Sequence, residues 1–145
     1  LIAGLPFTHL TLTGGAIGSG PCLAVGAAVA CPHRRVVNFQ ADGSALYSTP
    51  ALWCMSRERL DVTTIICKND AYRILDVERA TQGLGSGGSQ SKRLTDLSGP
   101  SIDWVSLARG YGVQGVSVKT AVDLRMALAE SFRTPGPFLI EACIQ

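Results

Sequence analysis

Asp42 and Asn69 are the residues best suited to chemistry in this 145-residue sequence, a carboxylate and an amide oxygen set 27 positions apart. Each follows an apolar run: Val36-Val37-Asn38-Phe39 precedes Ala41-Asp42-Gly43-Ser44, and Val62-Thr63-Thr64-Ile65-Ile66-Cys67 precedes Asn69. Such runs predict buried parallel strands. The stretch between them, Ala45 to Leu60, is long enough for one crossover helix. A strand, helix, strand unit carries both strand ends to the same edge of the sheet. Open α/β sheets bind ligands at that carboxyl edge, and two hard oxygen donors there suit Mg²⁺ carrying a phosphate-type ligand.

The neighbours of these two residues sharpen the reading. Gly43 permits close backbone approach, and Ser44 offers a hydroxyl and opens a helix whose free amides attract an anion. By itself Asp42-Gly43-Ser44 also describes a plain N-cap turn; the second strand ending at Asn69 tips the balance toward a ligand site. A Gly-rich turn, Gly14 to Gly20, either cradles an anion at a helix N-terminus or simply packs turn against helix. It lacks the Gly-Lys-Ser/Thr of a P-loop and is no clean dinucleotide fingerprint. The strand Val36 to Gln40 does not end in an acidic residue that would read a ribose, which argues against a dinucleotide site. Of the two histidines, His33 follows Pro32 in a polar turn and is expected to be exposed, and His9 precedes the Gly-rich turn. Neither sits in a Ser-His-Asp or zinc pattern.

The elements that must position these residues follow in order. A short strand is expected at Leu10-Thr11-Leu12, then a helix Leu23 to Ala30 ended by Pro32. Strand Val36 to Gln40 leads to a helix Ala45 to Arg59, in which Pro50 predicts a first-turn position or a kink. Strand Val62 to Cys67 and a helix Ile74 to Thr81 come next. Gln82 to Pro100, rich in Gly and Ser, reads as a mobile segment, either a lid, a binding loop or a disordered stretch. A helix Trp104 to Tyr111, a strand Val113 to Val118, a helix Ala121 to Arg133 and a strand Phe138 to Ile144 complete the chain. The alternation predicts an α/β fold of three layers, a mostly parallel sheet with helices on both faces, forming one domain over residues 1–145.

Composition bounds the function classes. A hydrophobic fraction of 46% and a charged fraction of 17% describe a well-packed globular chain, and a net charge of +2 with scattered basic residues argues against nucleic acid. Cys22 to Cys31 is apolar but about half the length of a membrane span, and reads as a buried helix. The five cysteines are irregularly spaced and lack a C-x-x-C pair, so buried reduced thiols and a cytoplasmic setting are expected. The chain begins at Leu1 without a signal-peptide layout and is expected to be a piece of a longer polypeptide.

The sequence strand, Asp-Gly-Ser, helix, strand, Asn resembles the Gly-Asp-Gly to Asn-Asn signature of thiamine-diphosphate enzymes. The likeness covers nearly the whole chain. Gly14-Gly15-Ala16-Ile17-Gly18, Ser44-Ala45-Leu46-Tyr47-Ser48, Ala51-Leu52-Trp53, Ile102-Asp103-Trp104, Ala108-Arg109-Gly110-Tyr111-Gly112-Val113 and Gly136-Pro137-Phe138-Leu139-Ile140-Glu141 are similar to the C-terminal cofactor-diphosphate domain of the acetolactate synthase and benzoylformate decarboxylase group. The resemblance implies thiamine diphosphate and Mg²⁺ as cofactors. It implies that Asp42, the side-chain oxygen of Asn69 and the backbone carbonyl of Ala71 bind Mg²⁺. Gly43, Ser44 and the Tyr72 backbone amide would meet the diphosphate. Gly15 would offer its carbonyl to the aminopyrimidine, Ala16 would complete that turn, and Ile17 would prop the cofactor in its bent form. This chain departs from the family pattern at Ala41, Lys68 and Arg73, which stand for Gly, Asn and Gly, and at Pro21-Cys22, where Leu-Pro is usual.

The implied activity is decarboxylation of a 2-oxoacid such as pyruvate, with the cofactor as electron sink, and ligation to a second carbonyl. A 2-oxoacid decarboxylase of benzoylformate type is the alternative within enzymes. No catalytic residue is assigned here, because the family's activating Glu lies on a separate N-terminal domain. The expected partners are therefore the N-terminal and middle domains of the same enzyme, in a homodimer or tetramer, with neither nucleic acid nor membrane, and the isolated chain is expected to be inactive. A non-catalytic module that keeps a degenerate cofactor site is the reading from a different class, supported by Ala41, Lys68 and Arg73.

Overall fold

Continuous apolar runs can be buried on both faces only in a sheet covered by helices. The computed structural model, which describes residues 6–11, 13–85 and 87–144, arranges them in this way. Strands β1 (Val36–Ala41), β2 (Val62–Lys68), β3 (Gln114–Val118) and β4 (Phe138–Cys143) form a parallel sheet in the order β1-β2-β4-β3. The helices are α1 (Ser19–Ala30), α2 (Asp42–Ala45), α3 (Ala51–Arg57), α4 (Arg73–Thr81), α5 (Ser89–Thr95), α6 (Trp104–Gly110) and α7 (Ala121–Arg133), with a 3-10 turn at Leu46–Ser48.

Side chains alternate across the sheet and build two cores. Val62, Ile66 and Leu139 pack with Ala24 and Ala28 of α1, Leu52 and Met55 of α3, and Trp104 and Ala108 of α6. On the opposite face Ile65, Val118, Ile140 and Ala142 pack with Ala127 of α7. The helices therefore cover both faces, and the three-layer α/β expectation holds. Arg35 ties the layers together just before β1, where its guanidinium donates to the carbonyls of Thr134 (2.6 Å) and Gly136 (3.1 Å).

Several boundaries differ from the sequence expectation for identifiable reasons. The helix expected over 45–59 is three short pieces, because Pro50 has no N–H for the helical ladder and instead precedes α3 as its cap. The segment expected as an open loop over 82–100 contains α5, whose Ser, Lys and Arg composition hides its helical character. Leu10 and Thr11 are not in a strand, and Leu12 lies outside the described residues. The strand Val36 to Gln40, expected to be buried, is an edge strand. Val37 and Phe39 are 48% and 67% exposed, since the α7 core takes no residue from β1. The helix read as buried from Cys22 to Cys31 buries only Pro21, Ala24 and Ala28. Its small apolar residues leave an open face, so Cys22 and Cys31 are exposed; all five cysteines are free, and none is buried. His33 is exposed as expected. Among the described residues no helix is long and apolar enough to cross a membrane.

Candidate functional site

Parallel pairing places Ala41 of β1 opposite Cys67 of β2. The next residues of both strands therefore leave the sheet side by side at its carboxyl edge. Asp42 turns into α2 at this point and is 1% exposed. Its Oδ2 accepts the backbone N–H of Asn69 (3.0 Å) and of Asp70 (2.7 Å), and its Oδ1 accepts that of Gly43 (2.8 Å). A buried carboxylate is costly unless it is hydrogen-bonded or paired with a cation. Asp42 has the hydrogen bonds, but no Lys or Arg pairs with it among the described residues.

The loop after β2 is shaped around that carboxylate. Asn69 Oδ1 accepts the N–H of Ala71 at 3.0 Å, a local Asx turn. Ala71 also forms an isolated antiparallel bridge with Asp96. The bonds of that bridge run from Tyr72 N to the Thr95 carbonyl and from Leu97 N to the Asp70 carbonyl, both 2.8 Å. In a pair of this kind the central residue turns its own N–H and C=O away from the partner segment. The carbonyl of Ala71 therefore faces the side on which Asn69 Oδ1 already meets the Ala71 amide. Asp42, the Asn69 side chain and the Ala71 carbonyl share one short stretch of the sheet edge.

The Gly-rich turn is attached to the same place. Gly18 donates its N–H to Ser44 Oγ at 3.0 Å, and Ser48 Oγ donates to the Gly18 carbonyl. Ser44 Oγ in turn donates to Gln40 Oε1 (3.3 Å), Gln40 Nε2 to Asn38 Oδ1 (2.8 Å), and Asn38 Nδ2 to Thr64 Oγ1 (3.3 Å). A polar chain thus runs from the sheet interior to the turn. Gly18 has φ +84°, and a Cβ there would meet the Cβ of Tyr47, so both conformation and space call for glycine. Gly15, Ala16 and Ile17 lie exposed ahead of it, with the Gly15 carbonyl accepting Ile17 N at 2.9 Å.

Two expected diphosphate contacts are placed differently from the sequence reading. The Tyr72 amide is given to Thr95, so it does not point into the site. The Tyr72 ring instead lies over Gly43, on the side where any other residue would carry its Cβ. Burial, the neighbouring Tyr47 phenol and the Asp42 carboxylate together push the Tyr72 phenol above its usual range. Ser44 spends its hydroxyl on Gly18 and Gln40, so its role here is to join the two turns. Cys67, beside the site, has its thiol pushed up by burial and by the Asp42 charge.

Lys68 does not disturb the site. Its Nζ lies 3.7 Å from Glu141 Oε2 and 3.8 Å from Asp70 Oδ1. Glu141 also accepts Ser117 Oγ (2.7 Å) and Trp104 N (3.1 Å). Sequence reasoning missed Gln40, Asp70 and Glu141 as parts of this assembly. Glu141 carried a readable signal, being the lone charge in an otherwise apolar strand. Asp70 carried a weaker one, because Asn-Asp is a pair that tolerates left-handed backbone.

The donor chemistry fits a small, hard divalent cation. A carboxylate, an amide oxygen and a main-chain carbonyl are the oxygen ligands that Mg²⁺ accepts, with phosphate oxygens and water for the remaining positions.

The family model described as "Thiamine pyrophosphate enzyme, C-terminal TPP binding domain" matches residues 5–142. The Mycobacterium tuberculosis protein named "Putative acetolactate synthase large subunit IlvX" is 48% identical over 136 residues, covering 93% of this chain and 26% of that protein. Benzoylformate decarboxylase of Pseudomonas aeruginosa is 33% identical over 140 residues, covering 97% of this chain and 25% of that protein. Among solved structures, the thiamine diphosphate-dependent 4-hydroxybenzoylformate decarboxylase of Rhodococcus jostii RHA1 superposes with a TM-score of 0.77 at 37% identity, over 86% of this chain and 22% of that one. The chain thus spans about a quarter of the length of the relatives it matches.

Proposed function

This chain belongs to the family of C-terminal TPP-binding domains of thiamine pyrophosphate enzymes, and on that footing we propose that it holds Mg²⁺ and the diphosphate of thiamine diphosphate at Asp42 and the loop 69–71. Asp42, Asn69 Oδ1 and the Ala71 carbonyl are the protein's share of the cation's ligands. The observation that carries the reading is the buried Asp42 carboxylate, satisfied by three backbone amides and left without a cationic side chain. The exposed turn Gly15-Ala16-Ile17, joined to the site through Gly18 and Ser44, would meet the rest of the cofactor.

When bound, thiamine diphosphate supplies the electron sink for decarboxylating a 2-oxoacid. The residues of this chain bind and orient. Asp42 fixes the end of β2 to the start of α2, Asn69 shapes the loop that presents Ala71, and Ser44 holds the Gly-rich turn against the Asp42 turn. The activating acid and the rest of the substrate pocket belong to the N-terminal and middle domains of a longer dimeric or tetrameric enzyme.

The whole enzyme is proposed to be acetolactate synthase-like, decarboxylating pyruvate and ligating the product to a second carbonyl. The 48% identity to the mycobacterial relative supports this choice. A 2-oxoacid decarboxylase of benzoylformate type is the second reading, supported by the likeness to the Rhodococcus decarboxylase. Product analysis of the full-length enzyme, supplied with pyruvate and with benzoylformate, separates the two.

Calorimetric titration of the chain with thiamine diphosphate tests the cofactor site. Binding that requires Mg²⁺ and disappears in Asp42→Ala supports it. Mg²⁺-independent binding, or equal binding by the variant, overturns it in favour of a degenerate module.

A further inference from the structure

Asp70 is one of two described non-glycine residues with positive φ, at +54°. A left-handed conformation is strained for a residue with a side chain and persists where its surroundings hold it. Asp70 is held from several sides. Its N–H goes to Asp42 Oδ2 at 2.7 Å, and its carbonyl accepts Leu97 N at 2.8 Å. Its Oδ1 accepts Ser101 Oγ at 2.9 Å and lies 3.8 Å from Lys68 Nζ. Asp70 is thus the corner at which the loop turns from β2 toward Ala71.

Lys68 supplies the one cation in this group. Its side chain is only 14% exposed, and its ammonium lies between Asp70 and Glu141, whose side chain is 8% exposed. Glu141 is itself fixed by Ser117 and by the first amide of α6. Lysine at the last residue of β2 therefore connects the inner strand β4 to the left-handed corner of the loop. One ammonium stands between two carboxylates, Asp70 and Glu141. Without it, Asp70 and Glu141 would face each other unpaired, and the corner would lose its electrostatic anchor.

We infer that Lys68 is a positioning residue for the cation loop: pinned by Glu141, it holds the Asp70 carboxylate, and thereby the left-handed corner that gives the Asp70 amide to Asp42 and leads into Ala71. The inference rests on the cation-site reading above for its functional consequence, but its structural half is independent of any ligand.

The experiment uses the chain with Lys68→Met and Lys68→Arg, and reads amide hydrogen exchange without ligand and then Mg²⁺ half-saturation in the presence of thiamine diphosphate. In Lys68→Met, exchange at Asp70 and Leu97 is expected to quicken by about tenfold while β2 amides Thr63 to Ile66 stay protected, and the Mg²⁺ half-saturation to rise by about tenfold. Lys68→Arg keeps the charge and is expected to restore both. Should Lys68→Met fail to fold, Asp70→Asn removes the ion pair while keeping a residue that accepts left-handed backbone, and the same quickening at Leu97 is expected. Exchange at Asp70 and Leu97 unchanged from the parent chain overturns the inference. If the parent chain binds no thiamine diphosphate, the cofactor reading falls, and the exchange measurement still decides the role of Lys68.

Discussion

Asp42 Oδ2 accepts the backbone amide of Asp70 at 2.7 Å, across the gap between two strand ends that the sequence separates by 28 positions. The same oxygen accepts the amide of Asn69, and the other carboxylate oxygen accepts that of Gly43. One buried carboxylate therefore organises both halves of the candidate cation site before any ligand arrives. Its removal should be felt as a loss of stability as well as of binding.

Asp42→Ala leaves three backbone N–H groups without their acceptor. Each buried unsatisfied donor costs about 1–3 kcal/mol, so a loss of roughly 3 kcal/mol or more is expected. Urea denaturation measures it. A loss well under 1 kcal/mol would show that water replaces the carboxylate and that Asp42 does not organise the edge.

Gly18 is predicted to tolerate no side chain. Its φ of +84° and the Tyr47 Cβ beside it set strain and clash against any replacement. Gly18→Ala should cost about 1–3 kcal/mol and weaken thiamine diphosphate binding by loosening the hydrogen bond to Ser44. Thermal melting and the calorimetric titration report the two effects. A variant that melts and binds like the parent would contradict the placement of Gly18.

Asp103 caps α6, accepting the Ser106 hydroxyl (2.6 Å) and amide (2.8 Å). These bonds hold its carboxyl below the usual range. A folded-state value lower than the unfolded one means that the stabilisation is full above the ordinary carboxylate range and is lost as pH falls through the lowered value. The gap in melting temperature between the parent and Asp103→Ala should therefore be open at neutral pH and narrow only as the pH falls below the ordinary carboxylate range. A gap independent of pH would rule out capping by the ionised carboxylate.

Cys22 and Cys31 are exposed, whereas Cys67 is half-buried with its thiol pushed up by burial and by Asp42. A thiol-specific chromogenic reagent at mildly alkaline pH should label Cys22 and Cys31 first and Cys67 later. Peptide mapping of the labelled chain gives the order. Early labelling of Cys67 would place it in a more open setting than the one described.

How much of this was legible in the sequence depended on where the determining contact lay. β2 was readable because an uninterrupted apolar run has few other uses, and α7 has the boundaries expected, with Thr120 accepting the Asp123 amide at its start. The meeting of Asp42 with the residues after β2 followed from the parallel crossover alone. Leu10 and Thr11 have strand-type side chains but are not in a strand, since strand formation requires a partner edge, which local propensity does not contain. The broken helix around Pro50 was anticipated only as a choice between a first turn and a kink. The Tyr72 amide was assigned by resemblance, and the structure gives it to Thr95 because residues of the Gly- and Ser-rich segment fold back as a short bridge. Lys68 could not be placed from sequence, since its partner Glu141 comes from the last strand and meets it only through sheet order.

The most direct test of the central claim is paramagnetic relaxation by Mn²⁺, a divalent cation that also takes oxygen ligands, followed on the backbone amide resonances in the presence of thiamine diphosphate. The account predicts selective broadening of Gly43, Asn69, Asp70 and Ala71, abolished in Asp42→Asn. Broadening centred on other acidic residues, such as Asp123 and Glu130 on α7, or broadening unchanged by Asp42→Asn, would contradict it.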